Sequence, residues 1–227
     1  VHFEYEKGIE ILHGVSFKIK PGESVALVGP TGSGKSTIVN LISRFYDIKS
    51  GQVLIDGHDI SKVTMKSLRS QMGIMMQDSF AFSGTIASNI RYGLLDATDE
   101  QVQNAAKTVS AHHFILQQPK GYETEIAERA SGLSQGQKQL IAFARTIVSD
   151  PKILILDEAT SSIDTKTEQA LQKGIAAVLK GRTSFLIAHR LSTIRDCDRI
   201  MYIDGGKIIE SGNHEELMAK RGAYYRL

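Results

Sequence analysis

The loop Gly29-Pro30-Thr31-Gly32-Ser33-Gly34-Lys35-Ser36-Thr37 follows an apolar run, Ser24-Val25-Ala26-Leu27-Val28, and opens a segment, Ser36 to Ile42, with helical spacing. Strand, glycine loop and helix in that order leave few folds open. The loop satisfies G-x-x-x-x-G-K-[ST] at every position. Glycines let successive backbone N–H groups converge on phosphate oxygens, Lys35 reaches the terminal phosphates, and Ser36 offers a hydroxyl to Mg²⁺. The helix that follows adds partial positive charge at its N-terminus. The loop reads as a phosphate cradle.

The rest of the chain reads as the sheet such a cradle needs. Lys152-Ile153-Leu154-Ile155-Leu156 is a continuous apolar run ending in Asp157-Glu158, the pattern of a central parallel strand covered on both faces. Thr183 to Ala188 is a second such strand, ending at His189, and Gly73 to Met76 a third, ending at Gln77. Arg199 to Ile203 is a further strand, and Asp204-Gly205-Gly206-Lys207 turns it into Ile208-Ile209-Glu210. The beginning has antiparallel character, with strands expected at His2–Tyr5, Val15–Ile19 and Gln52–Ile55. Met65 to Gln71 reads as a short helix, Lys166 to Leu179 as a longer one, and the C-terminus as helical. From Asp78 to about Ser149 the pattern is helical throughout, over 85–92, 99–109, 111–117 and 136–148. Caps are expected at Thr98-Asp99-Glu100-Gln101 and Ser134-Gln135-Gly136-Gln137.

This predicts an α/β fold: a P-loop core with a mostly parallel sheet, an antiparallel β part at the N-terminus and an inserted all-helical subdomain. Residues 1–227 form one domain in this reading, with 1–77 and 150–227 as core and 78–149 as the helical subdomain. Ligands of open α/β sheets sit beyond the carboxyl ends of parallel strands, where Gly29, Gln77, Asp157-Glu158 and His189 fall. Asp157 is placed to hold Mg²⁺ directly or through water, because hard cations take carboxylate oxygens. Glu158 points elsewhere and can polarise a water for in-line attack on a γ-phosphate.

A formal charge of +2 and the lack of a dense basic block argue against nucleic acid. No apolar run approaches a membrane span, and no signal peptide opens the chain. The chain starts at Val1 rather than Met and reads as a piece of something longer. The single cysteine, Cys197, excludes an internal disulfide and fits a reducing compartment.

Leu133-Ser134-Gln135-Gly136-Gln137 differs only at Gln135 from the LSGGQ signature of ATP-binding cassette transporters, and it lies between cradle and acidic strand. With this feature the whole chain resembles the nucleotide-binding domain of such a transporter. The resemblance implies an ATPase that binds ATP and Mg²⁺ and pairs head-to-tail with a second nucleotide-binding domain. The partner's nucleotide would then be met by Ser134, Gly136 and Gln137. Phe3-Glu4-Tyr5 resembles the aromatic loop, so Tyr5 stacks on adenine, with core packing as the alternative for its ring. Gln77 resembles the Q-loop glutamine, a Mg²⁺ ligand, and His189 the switch histidine at the γ-phosphate. Ser161-Ser162-Ile163-Asp164 resembles the loop that bridges the halves of the dimer, which brings Asp164 to the partner's site.

Thr124 to Ala130 resembles the exporter loop that meets transmembrane helices, although alanines stand where that loop has glycines. The resemblance therefore implies a multidrug- or lipid-exporter-like half-transporter, with this domain at the cytoplasmic face of the cell membrane beside its transmembrane domain. An ABC-type ATPase of DNA repair or chromosome structure is the second reading. Such proteins insert long coiled coils between cradle and acidic strand, and residues 38–152 carry no sustained heptads. A regulatory domain that traps ATP without turnover is the third, and Glu158 and His189 together argue against it. Gln135 adds a side chain where backbone approaches phosphate, which points to one half of a heterodimer with an altered opposite site; a homodimer tolerant of Gln135 is the alternative. The transported substrate leaves no trace in this chain.

Overall fold

The computed structural model describes residues 1–76, 80–127, 132–158 and 164–227. The chain divides into two compact units: Val1–Met72, Ile153–Glu158 and Thr183–Leu227 make the first, and Gly73–Lys152 with Ala159–Arg182 make the second.

Five strands of the first unit run side by side in the order Lys207–Gly212, Arg199–Asp204, Ser24–Val28, Thr183–Ile187, Ile153–Asp157. Only the outermost pair, Arg199–Asp204 with Lys207–Gly212, is antiparallel. The other neighbours are parallel: Ser184 sits opposite Ser24, Thr183 opposite Ile153 and Arg199 opposite Val25. Val25 to Val28 are almost completely buried, as are Leu154 to Leu156 and Phe185 to Ile187. That explains the unbroken apolar runs, since a strand covered on both faces has no polar alternation. The cradle helix Lys35–Ile42 buries Ile38, Val39, Leu41 and Ile42. Phe3–Glu6 and Ile9–Leu12 form a separate antiparallel pair, and Leu54–Ile55 with His58–Asp59 another.

One expected strand is not formed. Val15 exchanges backbone hydrogen bonds with Val1, but residues 16–19 join no ladder. Their alternation records burial instead: Val15 is buried, and the Phe17 ring packs 6.3 Å from that of Phe185. The strand actually present, Ile9–Leu12, lies a few residues earlier.

The second unit begins with the strand residues Gly73–Met75 and is otherwise mainly helical. Ile86–Arg91, Asp99–Thr108, His112–Leu116, Gln135–Ile147 and Thr165–Leu179 are its helices. A two-residue pairing, Gly84–Thr85 with Glu125–Ile126, interrupts the helical region where no strand was expected. Inside this unit Asn89 is fully enclosed and holds the segment at Phe82 through three bonds: it accepts from Phe82 N at 2.8 Å and donates to Phe82 O at 2.8 Å and Thr85 O at 3.0 Å. Arg145 braces the same place by donating to Asn89 O, Asn89 Oδ1 and Phe80 O. Its guanidinium also lies 4.8 Å from the centre of the Phe82 ring. Among the described residues no helix is long and apolar enough to cross a membrane.

Candidate nucleotide site

The cradle is built by backbone geometry that only glycine tolerates at two points. Gly29 leaves its strand at φ 139°, and a Cβ there would collide with the carbonyl oxygen of Ile203 on the neighbouring strand. Gly34, at φ 107°, caps the cradle helix, and a Cβ would come within 2.9 Å of Leu12 Cδ2. At Gly29 a backbone oxygen leaves no room for a side chain, and at Gly34 the positive φ disfavours one. The hairpin after Asp204 buttresses the loop from behind: Gly206 N donates to Ser33 O at 3.0 Å, and His13 N donates to Gly206 O at 3.0 Å.

No side chain caps the first turn of Lys35–Ile42 among the described residues, because its N-cap is a glycine. The leading N–H groups of the helix are therefore available to an anion. Lys35 stands in the same turn, 7% exposed, and its ammonium donates to Gly29 O and Pro30 O at 2.8 Å each. Burial pushes its pKa down, opposed by the negative charge of Asp157. Ser36 is exposed, whereas Thr37 is buried and accepts a hydrogen bond from the Tyr5 hydroxyl at 3.1 Å. Tyr5 is 43% exposed and meets Phe3 and Tyr46 edge-on, with ring centres 4.9 Å away in both cases. Core packing and an exposed surface thus share one ring.

Asp157 and Glu158, at 6% and 4% exposure, end the strand Ile153–Asp157. Glu158 N donates to Ile187 O at 2.9 Å, which continues the ladder by one residue and fixes the backbone beneath its carboxylate. Oε2 of Glu158 accepts from the backbone N–H of His189 at 3.0 Å and of Arg190 at 3.2 Å. Oε1 accepts from the Thr193 hydroxyl at 3.2 Å and lies 3.6 Å from the Arg190 guanidinium. His189 is exposed at the end of Thr183–Ile187. The structure thus brings Tyr5, the cradle, Asp157, Glu158 and His189 into one unit. Arg190 and Thr193 escaped sequence reasoning. The short helix Leu191–Arg195 that carries Thr193 is too brief to show a period, and only the adjacency of Arg190 to His189 could have signalled it.

In the second unit Ser134 caps the helix Gln135–Ile147 in a reciprocal box. Its Oγ accepts from Gln137 N at 3.1 Å, and Gln137 Oε1 accepts from Ser134 N at 3.0 Å. Ser134 and Gln135 are exposed and Gly136 is buried. Asp164 is exposed and caps Thr165–Leu179 by accepting from Thr167 N at 2.9 Å; hydrogen bonds from the Thr167 side chain and then its backbone hold the Asp164 pKa down. Gln77 and residues 161–163, together with Glu128 to Ala130 of the expected exporter loop, lie outside the described residues.

Among the described residues no cluster of three His, Cys, Asp or Glu side chains could hold a metal by itself. Mg²⁺ keeps several waters and binds through one or two protein oxygens plus phosphate oxygens. Ser36 and Asp157 supply a hydroxyl and a carboxylate of that kind.

An uncapped helix N-terminus behind a glycine loop, at the carboxyl edge of a parallel sheet, defines a P-loop α/β protein. Residues 12–161 match the family model described as ABC transporter, and the chain belongs to that family. It is 52% identical, over its full length, to a probable multidrug resistance ABC transporter ATP-binding/permease protein of Bacillus subtilis, YheH, covering 34% of that protein. Over 99% of its length it is 52% identical to ATP-binding cassette sub-family B member 6 of Rattus norvegicus, covering 27% of it. A solved structure of a bacterial Atm1-family ABC exporter with ATP bound superposes with a TM-score of 0.92 at 49% identity, over all of this chain and 40% of that one. The chain spans about a third of the length of these relatives.

Proposed function

We propose that the chain is a single ABC nucleotide-binding domain that binds and hydrolyses ATP to drive export by an attached transmembrane domain at the cytoplasmic face of a membrane. The observation that carries this is the open N-terminus of Lys35–Ile42 in the same unit as two buried strand-end acids. Residues 29–37 take the triphosphate, with Lys35 as counter-charge, and Tyr5 stacks on adenine. Mg²⁺, when bound, neutralises phosphate charge, and Ser36, Asp157 and Gln77 are the residues that would hold it. Glu158 polarises the attacking water for in-line attack, and His189 contacts the γ-phosphate.

The domain acts as a head-to-tail pair in this reading, with residues 78–149 as the subdomain that presents Ser134, Gly136 and Gln137, and with Asp164, to the partner's nucleotide. The exposed Gln135 supports a heterodimer, in which this chain's cradle is the active site and the opposite one is altered. The relatives named above, an ATP-binding/permease protein and an exporter with ATP bound, support the coupling to transport.

The test is phosphate release from Mg·ATP by the purified protein, with its molecular mass followed as ATP is added. Hydrolysis by the wild type and an ATP-dependent pairing that becomes long-lived in Glu158→Gln are expected. ATP binding without phosphate release under any condition would overturn the enzymatic reading.

A further inference from the structure

We propose that Thr193 is a positioning residue for Glu158, whose hydroxyl fixes the direction of the carboxylate that activates water; the inference rests on that reading of Glu158. The Glu158 backbone is pinned by its bond to Ile187 O, but its side chain still has freely turning bonds. Among the described residues, three hydrogen bonds and one ion pair bear on where the carboxylate points. Two of the bonds come from the backbone N–H groups of His189 and Arg190, both on Oε2. On Oε1 are the Thr193 hydroxyl at 3.2 Å and, farther off at 3.6 Å, a guanidinium nitrogen of Arg190.

Thr193 is 4% exposed and Glu158 equally buried, so bulk water does not compete for this bond. A buried carboxylate oxygen that loses a donor turns to find another. A catalytic group must be held to about 0.5 Å of its productive place, and supporting hydrogen bonds do that holding. The Thr193 carbonyl also accepts a weak bond from the Cys197 thiol at 3.3 Å. Burial pushes the pKa of that thiol up to about 12.

The experiment is steady-state ATPase kinetics of the full chain for Thr193→Val, Thr193→Ser and Glu158→Gln. Valine keeps the shape and removes the hydroxyl. Thr193→Val should lower kcat about ten-fold or more with KM for ATP unchanged, because the bond acts on the base and not on the phosphate contacts. Thr193→Ser should restore most of kcat, which a packing role would not predict. Wild-type or faster turnover in Thr193→Val beside an inactive Glu158→Gln would overturn the proposal and leave the base assignment standing. Full activity of Glu158→Gln would instead remove the base assignment, and the proposal with it. Should Thr193→Val fail to fold, Thr193→Ala against Thr193→Ser makes the same comparison.

Discussion

The two helices that begin at glycine-bearing motifs treat their first turns in opposite ways. Lys35–Ile42 starts from Gly34, which has no side chain to cap it, and its leading N–H groups remain open. Gln135–Ile147 starts from Ser134, which closes a capping box with Gln137 and satisfies both its own N–H and that of Gln137. The first helix end leaves its leading N–H groups to an anion, with a buried lysine beside them; at the second, the box engages the N–H groups of Ser134 and Gln137 and not those of Gln135 and Gly136. Phosphate affinity is therefore expected to reside in the cradle. The signature end is suited to a weaker contact that matters only once a nucleotide is already held. Both ends are short motifs of Ser and Gly, and the difference comes from the two side chains of the box, Ser134 and Gln137, which the cradle helix lacks.

The largest effect expected from this asymmetry is on chemistry. Glu158→Gln should retain ATP binding and lose about 100- to 10,000-fold in turnover, read as phosphate release. Turnover near wild type would move the reaction away from the cradle unit. Next comes affinity: Lys35→Ala should weaken ATP binding by about ten- to a hundred-fold by equilibrium titration, since charge-assisted contacts contribute roughly 1.5–3 kcal/mol. Unchanged affinity would mean that the open helix end works without its lysine.

Tyr5→Ala should cost only about two- to ten-fold in ATP affinity and reduce the preference for ATP over a non-aromatic triphosphate such as inorganic tripolyphosphate. An unchanged preference would assign Tyr5 to packing with Phe3 and Tyr46 alone. Smallest is the effect at the self-capped end. Ser134→Ala should lower stability by about 1 kcal/mol, a shift of a few degrees in Tm, and leave the affinity for a first ATP unaltered. A loss of affinity as large as that of Lys35→Ala would erase the distinction between the two helix ends.

What was legible in the sequence followed from physics that acts locally. Leu154 to Leu156 and Val25 to Val28 read as parallel strands because burial on both faces forces an apolar run, and the cradle read as a cradle because its geometry admits glycine at Gly29 and Gly34. What escaped depends on pairing or on distance along the chain. Val15–Ile19 has strand-like alternation, but alternation reports which side chains are buried and not whether a ladder forms. The pairing of Gly84–Thr85 with Glu125–Ile126 is too short to leave a period. The Asn89–Arg145 brace joins residues far apart in sequence, and polar residues inside helices give no local sign that they are buried. The donors gathered on Glu158 are of the same kind: Thr193 lies on a separate element and meets the carboxylate only through the fold.

The central claim is that the open end of Lys35–Ile42 is the phosphate receptor of this chain. Backbone amide shifts of the isotopically labelled protein during titration with Mg·ATP test it most directly. The account predicts the largest shifts at residues 32–37, attenuated together in Lys35→Ala, with residues 134–137 moving little at the first equivalent. Primary shifts at 134–137 that survive Lys35→Ala would contradict it.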